Sequence, residues 1–409
     1  MNRPIRIGLL DKGWGQWPGG VEYLRNLAFA LLKGGTGREV ELFLILRERA
    51  HERHFAVVPP EVRRVCMDEY APARFGLAAR VRNRLRPRAD RRPESRFECL
   101  LREHLSLDFA YPCGALELAT TRLRWADWAP DFQHKHLSEF FSADEIEARD
   151  RQFEDAAQRA PVVVFSSQAA LHDFERFYPG GRCETRVLHF RSVPDDEWYA
   201  ASTEEVRMNY RLPERFFLIS NQFWAHKNHK LVLDSLARLK AEDVLPAMVW
   251  TGPVTDYRNP GFIDELLQSI QRLGLHEQVR ILGKIPKSDQ IQLMRACLAV
   301  VQPTLFEGWS TVIEEARCFG KTMFVSDLPP NREQNPLYTS YFDPHDADAL
   351  SELLRDGWAN LAPGPDADRE ARGREENIHN VREFGEAFLD IALPALPPER
   401  TGSGPARNR

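Results

Sequence analysis

At 409 residues, with 43% apolar and 28% charged side chains, the chain has a globular balance and length for about two domains of roughly 150–200 residues each. Its formal net charge of −5 offers no global basis for holding a polyanion, so no nucleic-acid partner is expected. The cysteines (Cys66, Cys99, Cys113, Cys183, Cys297, Cys318) form no CxxC pair and no His/Cys cluster, which argues against a disulfide framework or a zinc site and fits a reducing, cytoplasmic setting.

In chain order, IRIGLL (residues 5–10) has the pattern of a buried strand. The glycines Gly19 and Gly20 then mark a turn, and an amphipathic helix is predicted from Val21 to about Lys33. VELFLIL (40–46), LDFAY (107–111), PVVVFSS (161–167, with a helix after Ser167) and TRVLHF (185–190) continue the first half. Residues 191–214 are polar and proline-marked, as an interdomain connection would be. Alternation then restarts with FFLIS (216–220), AMVWTG (247–252), VRILG (279–283), LAVVQP (298–303) and TMFVSD (322–327), separated by helical patterns that begin near Asn228, Pro260, Ser288 and Ser310. Buried strands alternating with helices predict an α/β chain of two Rossmann-like, doubly wound parallel sheets, with ligands in a cleft outside the carboxyl ends of the strands. The expected domains are 1–200 and 201–365, then a helical segment at 366–393 that packs back on the first domain, and a disordered Pro/Gly-rich tail at 394–409.

Three loops carry chemistry. Gly19 and Gly20 let backbone approach a ligand, and the helix that follows offers unpaired N–H groups suited to a diphosphate. In NQFWAHKNHK (221–230), Lys227 stands where a strand gives way to a helix and could meet phosphate oxygens, with Asn228 as the expected N-cap. In FEGWSTVIEEARCFGK (306–321), Gly308 supplies a turn, Ser310 and Thr311 open a helix, and Glu315 shares a face with Thr311. Glu314 points about 100° away from Glu315 on such a helix. A carboxylate accepts from two neighbouring sugar hydroxyls, which suits Glu315 to such a ligand; a capped surface helix with acidic residues near its N-terminus is the alternative.

The segment 306–316, with Glu307 and Glu315 spaced as they are, resembles the signature of glycosyltransferase family 4. GGVEYLRNLAFAL (19–31), FSSQAALHDFERFYP (165–179), the KNH beginning at Lys227, and the GK before the strand that ends at Asp327 add to the likeness. The resemblance implies the two-domain GT-B fold, with a first domain on the acceptor side and a second that holds the nucleotide sugar. It implies a metal-independent hexosyltransferase with no cofactor, moving a sugar from a GDP-, UDP- or dTDP-sugar to a glycan or lipid-linked acceptor with retention of configuration. Glu315 would then bind the ribose hydroxyls and Glu307 the transferred sugar. Lys227 would contact the diphosphate, with Gly19 and Gly20 approaching it from the facing domain. A histidine beside the reacting carbon falls in DFQHKHLSEFF (131–141), where His134 is the candidate and His136 the rival.

Two departures stand out. Gln222 occupies the place of the family's usual arginine, which shifts diphosphate charge toward Lys227, helix N-termini and Arg258 or Lys284. Ser310, Thr311 and Val312 replace the usual GLP, as in a bacterial branch of mannosyl- and rhamnosyltransferases that build surface polysaccharide. No DxD motif closes a strand; Asp346 and Asp348 are expected to cap a late helix. A nucleotide-sugar epimerase of the same fold, or a non-catalytic nucleotide-sugar or glycan binder, is the alternative.

No run reaches the roughly 20 apolar residues of a spanning helix, and the first apolar run, ended by Asp11 and Lys12, is too short for a signal sequence. Residues 73–96 nevertheless concentrate arginines, among them Arg80, Arg82, Arg84 and Arg86, so peripheral docking on anionic lipid at the inner face of a membrane is expected.

Overall fold

The computed structural model describes residues 3–13, 17–69, 96–114 and 123–393. The segment holding Arg80, Arg82, Arg84 and Arg86 and the tail from 394 onward lie outside them.

The first half forms a seven-stranded parallel sheet in the order β3-β2-β1-β4-β5-β6-β7. Its strands are β1 (Ile5–Leu10), β2 (Val40–Leu46), β3 (Arg63–Cys66), β4 (Phe109–Tyr111), β5 (Arg124–Ala129), β6 (Val162–Phe165) and β7 (Glu184–Val187). The second half forms a six-stranded parallel sheet, β10-β9-β8-β11-β12-β13. These strands are β8 (Phe217–Ser220), β9 (Met248–Thr251), β10 (Val279–Gly283), β11 (Val300–Gln302), β12 (Met323–Ser326) and β13 (Thr339–Phe342). Strands covered on both faces must be apolar almost throughout, and β6, β8 and β12 are buried at every position. Each sheet reverses its winding once, between β1 and β4 and between β8 and β11. Ligands of open α/β sheets bind at such switch points, so the loops after β1, β8 and β11 are where a site should form.

Strands β3, β5 and β13 escape the apolar pattern. β5, RWADWA, carries Asp127 at 3% exposure, tolerated because Lys12 Nζ lies 2.9 Å away and the Trp128 N–H donates to it at 2.8 Å.

The helices that matter for the site are α1 (Pro18–Lys33), α2 (Ala143–Arg159), α3 (Gln168–Phe177), α4 (His229–Ala241), α5 (Phe262–Leu273), α6 (Lys287–Ala296), α7 (Thr311–Cys318), α8 (Pro329–Gln334), α9 (Ala347–Asn360) and α10 (Ala367–Ala392). Asp346 caps α9 by accepting from the N–H groups of Asp348 and Ala349.

Helix α10 straps the two halves together. A Cβ on Gly373 would lie 2.6 Å from the Arg317 carbonyl oxygen on α7, and one on Gly385 would lie 2.9 Å from that of Ala30 on α1. Further along, Phe384, Phe388 and Ile391 enter the core of the first sheet. Burying a side chain such as Phe388 completely is worth about 1.5–3 kcal/mol. Trp309 does the same from the other side: it joins the first domain's core, donates from its indole N–H to the Phe190 carbonyl at 3.1 Å, and stacks on His189.

Candidate active site

Strand β8 is fully buried and delivers Asn221 to the cleft, where its amide donates to Gln302 Oε1 at 2.8 Å. Gln302, the last residue of β11, passes the contact on. Its Nε2 donates to Glu307 Oε1 at 2.9 Å and to Ser310 Oγ at 3.2 Å. Lys227 completes the cluster, its ammonium 2.6 Å from the same Glu307 oxygen. Lys227, Glu307 and Ser310 therefore meet at the β8/β11 switch point, organised by a glutamine that no motif marks.

Asn228 does not cap α4 with its side chain. It adopts a left-handed conformation (φ 58°), and its amide donates to the carbonyls of Pro303 and Pro344 at 3.0 and 2.8 Å. That ties the lysine loop to the loop after β11.

Ser310 opens α7, its hydroxyl accepting from the Ile313 N–H at 3.4 Å, and Thr311 follows half-buried at the first helical position. The adjacent glutamates Glu314 and Glu315 are both buried but do different work. Glu314 accepts from Arg191 at 3.2 and 3.3 Å and from Gln334 at 2.9 Å, an interdomain tie. Glu315 accepts the Lys287 ammonium on Oε1, while its buried Oε2 has no hydrogen-bond partner. A charged oxygen out of water with no donor is costly, and a ligand hydroxyl would relieve that cost. The expected lysine at 284 is exposed; Lys287, at the start of α6, is the one that reaches the site.

Across the cleft, helix α1 begins at Pro18, so Gly19 and Gly20 lie inside its first turn and not in a loop before it. A Cβ on Gly19 would sit 3.0 Å from the Trp17 indole nitrogen, giving this glycine a packing reason of its own. Glu22 in the next turn has its carboxyl pushed up by burial; Lys287 opposes that rise and Glu315 adds to it. Glu22 is therefore within electrostatic reach of the Lys287–Glu315 pair.

The two histidines separate cleanly. His134 is 1% exposed, with Nε2 at 3.0 Å from Asp150 and 3.3 Å from the Tyr178 hydroxyl, and burial lowers its pKa. It stacks on Phe153 and lines neither cleft cavity described below, so the residue put forward for the reacting carbon is held in the first domain's interior. Its rival, His136, lies 5.2 Å from the Phe306 ring and 2.7 Å from Asp173, and lines a cavity of about 440 Å³ with Glu307 and Gly308. The cleft pinches at Gly308, where a Cβ would fall 2.2 Å from the Pro130 carbonyl oxygen. On the other side of that pinch, a second cavity of about 490 Å³ holds Gln222, Trp224 and Arg258 against Trp17, Trp128 and Arg149. Asp131 borders both cavities.

Residues 203–360 match the family model described as Glycosyl transferases group 1. Over nearly its whole length the chain also superposes on solved glycosyltransferase structures. The fold is GT-B. Anabaena Alr3699/HepE in complex with UDP and glucose aligns with TM-score 0.63 at 20% identity, covering 94% of this chain and 98% of that one. A glycosyltransferase from Rickettsia africae ESF-5 aligns with TM-score 0.64 at 14% identity, covering 95% and 96%. A curated relative, the D-inositol 3-phosphate glycosyltransferase of Corynebacterium glutamicum (strain R), is 24% identical over 243 residues. That match spans 56% of this chain and 57% of the relative, less than two thirds of its length.

Sequence reading missed Gln302, Lys287, Glu22, Asp131 and Arg191. Lys287 had a signal, because it stands just after β10 at the carboxyl edge where ligands bind. Among the described residues no group of His, Cys, Asp or Glu is placed to hold a metal ion, and no helix is long and apolar enough to cross a membrane.

Proposed function

We propose that this GT-B protein is a retaining, metal-independent hexosyltransferase of glycosyltransferase family 4, using a nucleotide sugar and a glycan or lipid-linked acceptor. The observation that carries the reading is the pair of carboxylates beside the β8/β11 switch point. Glu307 is held by Lys227 and Gln302, and Glu315 keeps one buried oxygen without a donor. Glu315 Oε2 suits a ribose hydroxyl and Glu307 a hydroxyl of the transferred sugar. Lys227, with three N–H donors, can keep Glu307 and still meet the diphosphate, neutralising charge as it develops on the leaving group. The amide groups of the first turns of α1 and α7 supply further donors. The leaving phosphate oxygen takes the proton of the attacking hydroxyl on the same face of the sugar, which yields retention. His136, held by Asp173, is the histidine placed at the Glu307 side of the cleft.

The relative that acts on D-inositol 3-phosphate and the relatives solved with UDP and UDP-glucose support a nucleotide-sugar donor and a small polar acceptor. Peripheral docking through the arginine segment and a part in surface-polysaccharide synthesis rest on the sequence alone.

A panel of UDP-, GDP- and dTDP-sugars tests the reading, with nucleotide release measured with and without acceptor and the anomeric proton followed by NMR. Transfer with retained configuration is expected. Donor converted to an isomer without acceptor would mark an epimerase, binding without turnover a non-catalytic protein, and inverted product would refute the mechanism.

A further inference from the structure

The cavity of about 490 Å³ beside the pinch is bordered by a guanidinium that makes no ion pair among the described residues. Its first-domain wall is a column of rings: Trp17 stacks on Trp128 at 5.8 Å, and Trp128 on Tyr23 at 4.1 Å. The Trp128 indole N–H donates to Ser166 Oγ at 3.0 Å, which fixes the column. Flat, rigid rings offer a sugar's apolar face a surface at little entropic cost.

Three cations border the same space: Lys12, Arg149 and Arg258. Lys12 is paired with Asp127 at 2.9 Å, and Arg149 stands 3.6 Å from Asp131. Arg258 differs. Among the described residues no carboxylate lies within ion-pair distance of its guanidinium, which instead packs 4.0 Å from the centre of Phe141, 5.0 Å from Trp224 and 5.2 Å from Tyr257. Its side chain donates to the Tyr257 hydroxyl at 3.0 Å and to Gln133 Oε1 at 3.3 Å, leaving the rest of its five N–H groups for a ligand. Aromatic faces hold a guanidinium in place without cancelling its charge.

We propose that this cavity is the acceptor subsite and that it selects a sugar carrying an anionic group, phosphate or carboxylate, which Arg258 and Arg149 receive while the sugar lies along the cavity wall that Trp17 and Trp128 border. This rests on the glycosyltransferase reading and narrows it to an acidic acceptor. The volume suits a monosaccharide with one such group, within the usual range for small-ligand sites. Arg258 comes from the loop after β9 and reaches Gln133 of the first domain, so the subsite is complete only with the cleft closed.

The test saturates the protein with UDP, so that the donor site is occupied. Neutral hexoses, the corresponding hexose 1- and 6-phosphates, and hexuronates are then titrated by calorimetry and tryptophan fluorescence. At least one charged sugar should bind 10-fold or more tighter than its neutral parent, and the phosphate and carboxylate arms tell which anion is preferred. Arg258→Gln and Arg149→Gln should each cut the preference below 3-fold, and Arg149→Gln, which has no expected part in holding the diphosphate, should leave UDP affinity within 2-fold. The proposal is overturned by equal affinity for neutral and charged sugars, by no binding of any sugar, or by a preference that survives both substitutions. It is overturned too if Arg258→Gln weakens UDP instead, which would put the guanidinium on the donor diphosphate. Failure of the unmodified protein to bind UDP or any nucleotide sugar would remove the glycosyltransferase reading itself, a separate result.

Discussion

Replacing Glu315 by Gln should separate ligand recognition from folding. In the free protein the carboxylate is 2% exposed, one oxygen takes the Lys287 ammonium, and the other has no donor. Folding gains nothing from that second oxygen, and its burial costs about 1–3 kcal/mol. A ribose hydroxyl donating to it would form a charge-assisted hydrogen bond worth about 1.5–3 kcal/mol, so losing the charge should weaken nucleotide binding roughly 10- to 150-fold. Lys287 keeps 31% of its side chain in water and can be hydrated, so stability should change by less than about 1 kcal/mol. Calorimetric titration with UDP, GDP and dTDP gives the affinity, and denaturant unfolding the stability. Lys287→Ala is the control: if Glu315 only positions Lys287 for the ligand, that variant should lose as much affinity. A Glu315→Gln protein that binds its best nucleotide within 2-fold of the parent would refute the argument.

Gly308→Ala places a methyl 2.2 Å from the Pro130 carbonyl oxygen and 2.8 Å from Asp131 Cβ, so the domains cannot approach as closely. A fall in kcat/KM of about 100-fold is expected, with a larger radius of gyration by solution scattering; unchanged turnover would show that this contact is not needed. His229 is fully buried, neither ring nitrogen has a partner, and burial pushes its pKa down from 6.5 to about 3. A depressed folded pKa means stability present above pH 6.5 and lost as pH falls toward 3, about 5 kcal/mol at most. His229→Phe should flatten urea midpoints between pH 7 and pH 4.5, and an unaltered slope would contradict the assignment. Under the proposed mechanism, in which Lys227 and backbone amides take the charge of the leaving group, transfer should survive EDTA; loss of turnover restored by magnesium or manganese would sink that expectation.

What the sequence made legible follows from range. Buried strands such as VVVF and FLIS announce themselves because every residue in them obeys one local rule, and the motif around Glu307 and Glu315 is read within a few residues. Strand β5 hid because Asp127 is compatible with burial only once Lys12, at the end of β1, is beside it. The helix rotation correctly set Glu314 apart from Glu315, yet its partner Arg191 lies 123 positions away and no local pattern could name it. The histidines show the same limit. His134 and His136 fall in one short helical turn, and residues two apart on a helix cannot share a face, so only one could look into the cleft. Which one was fixed by Asp150 and Tyr178 on one side and by Asp173 and Phe306 on the other, all remote in sequence. Gln302 is the extreme case, a neutral side chain at a strand end whose amide joins Asn221 to Glu307 and Ser310. Its carbonyl accepts from one residue while its NH2 donates to the other two, so Gln302→Leu would leave three polar partners, Asn221 and Ser310 among them buried, short of a hydrogen bond at once. Glu307 would then depend on Lys227 alone, the same ammonium that the proposed mechanism assigns to the diphosphate. In the proposed mechanism such a residue would set how the charge of Lys227 is divided between sugar and phosphate, one contact behind the residues that the motif displays.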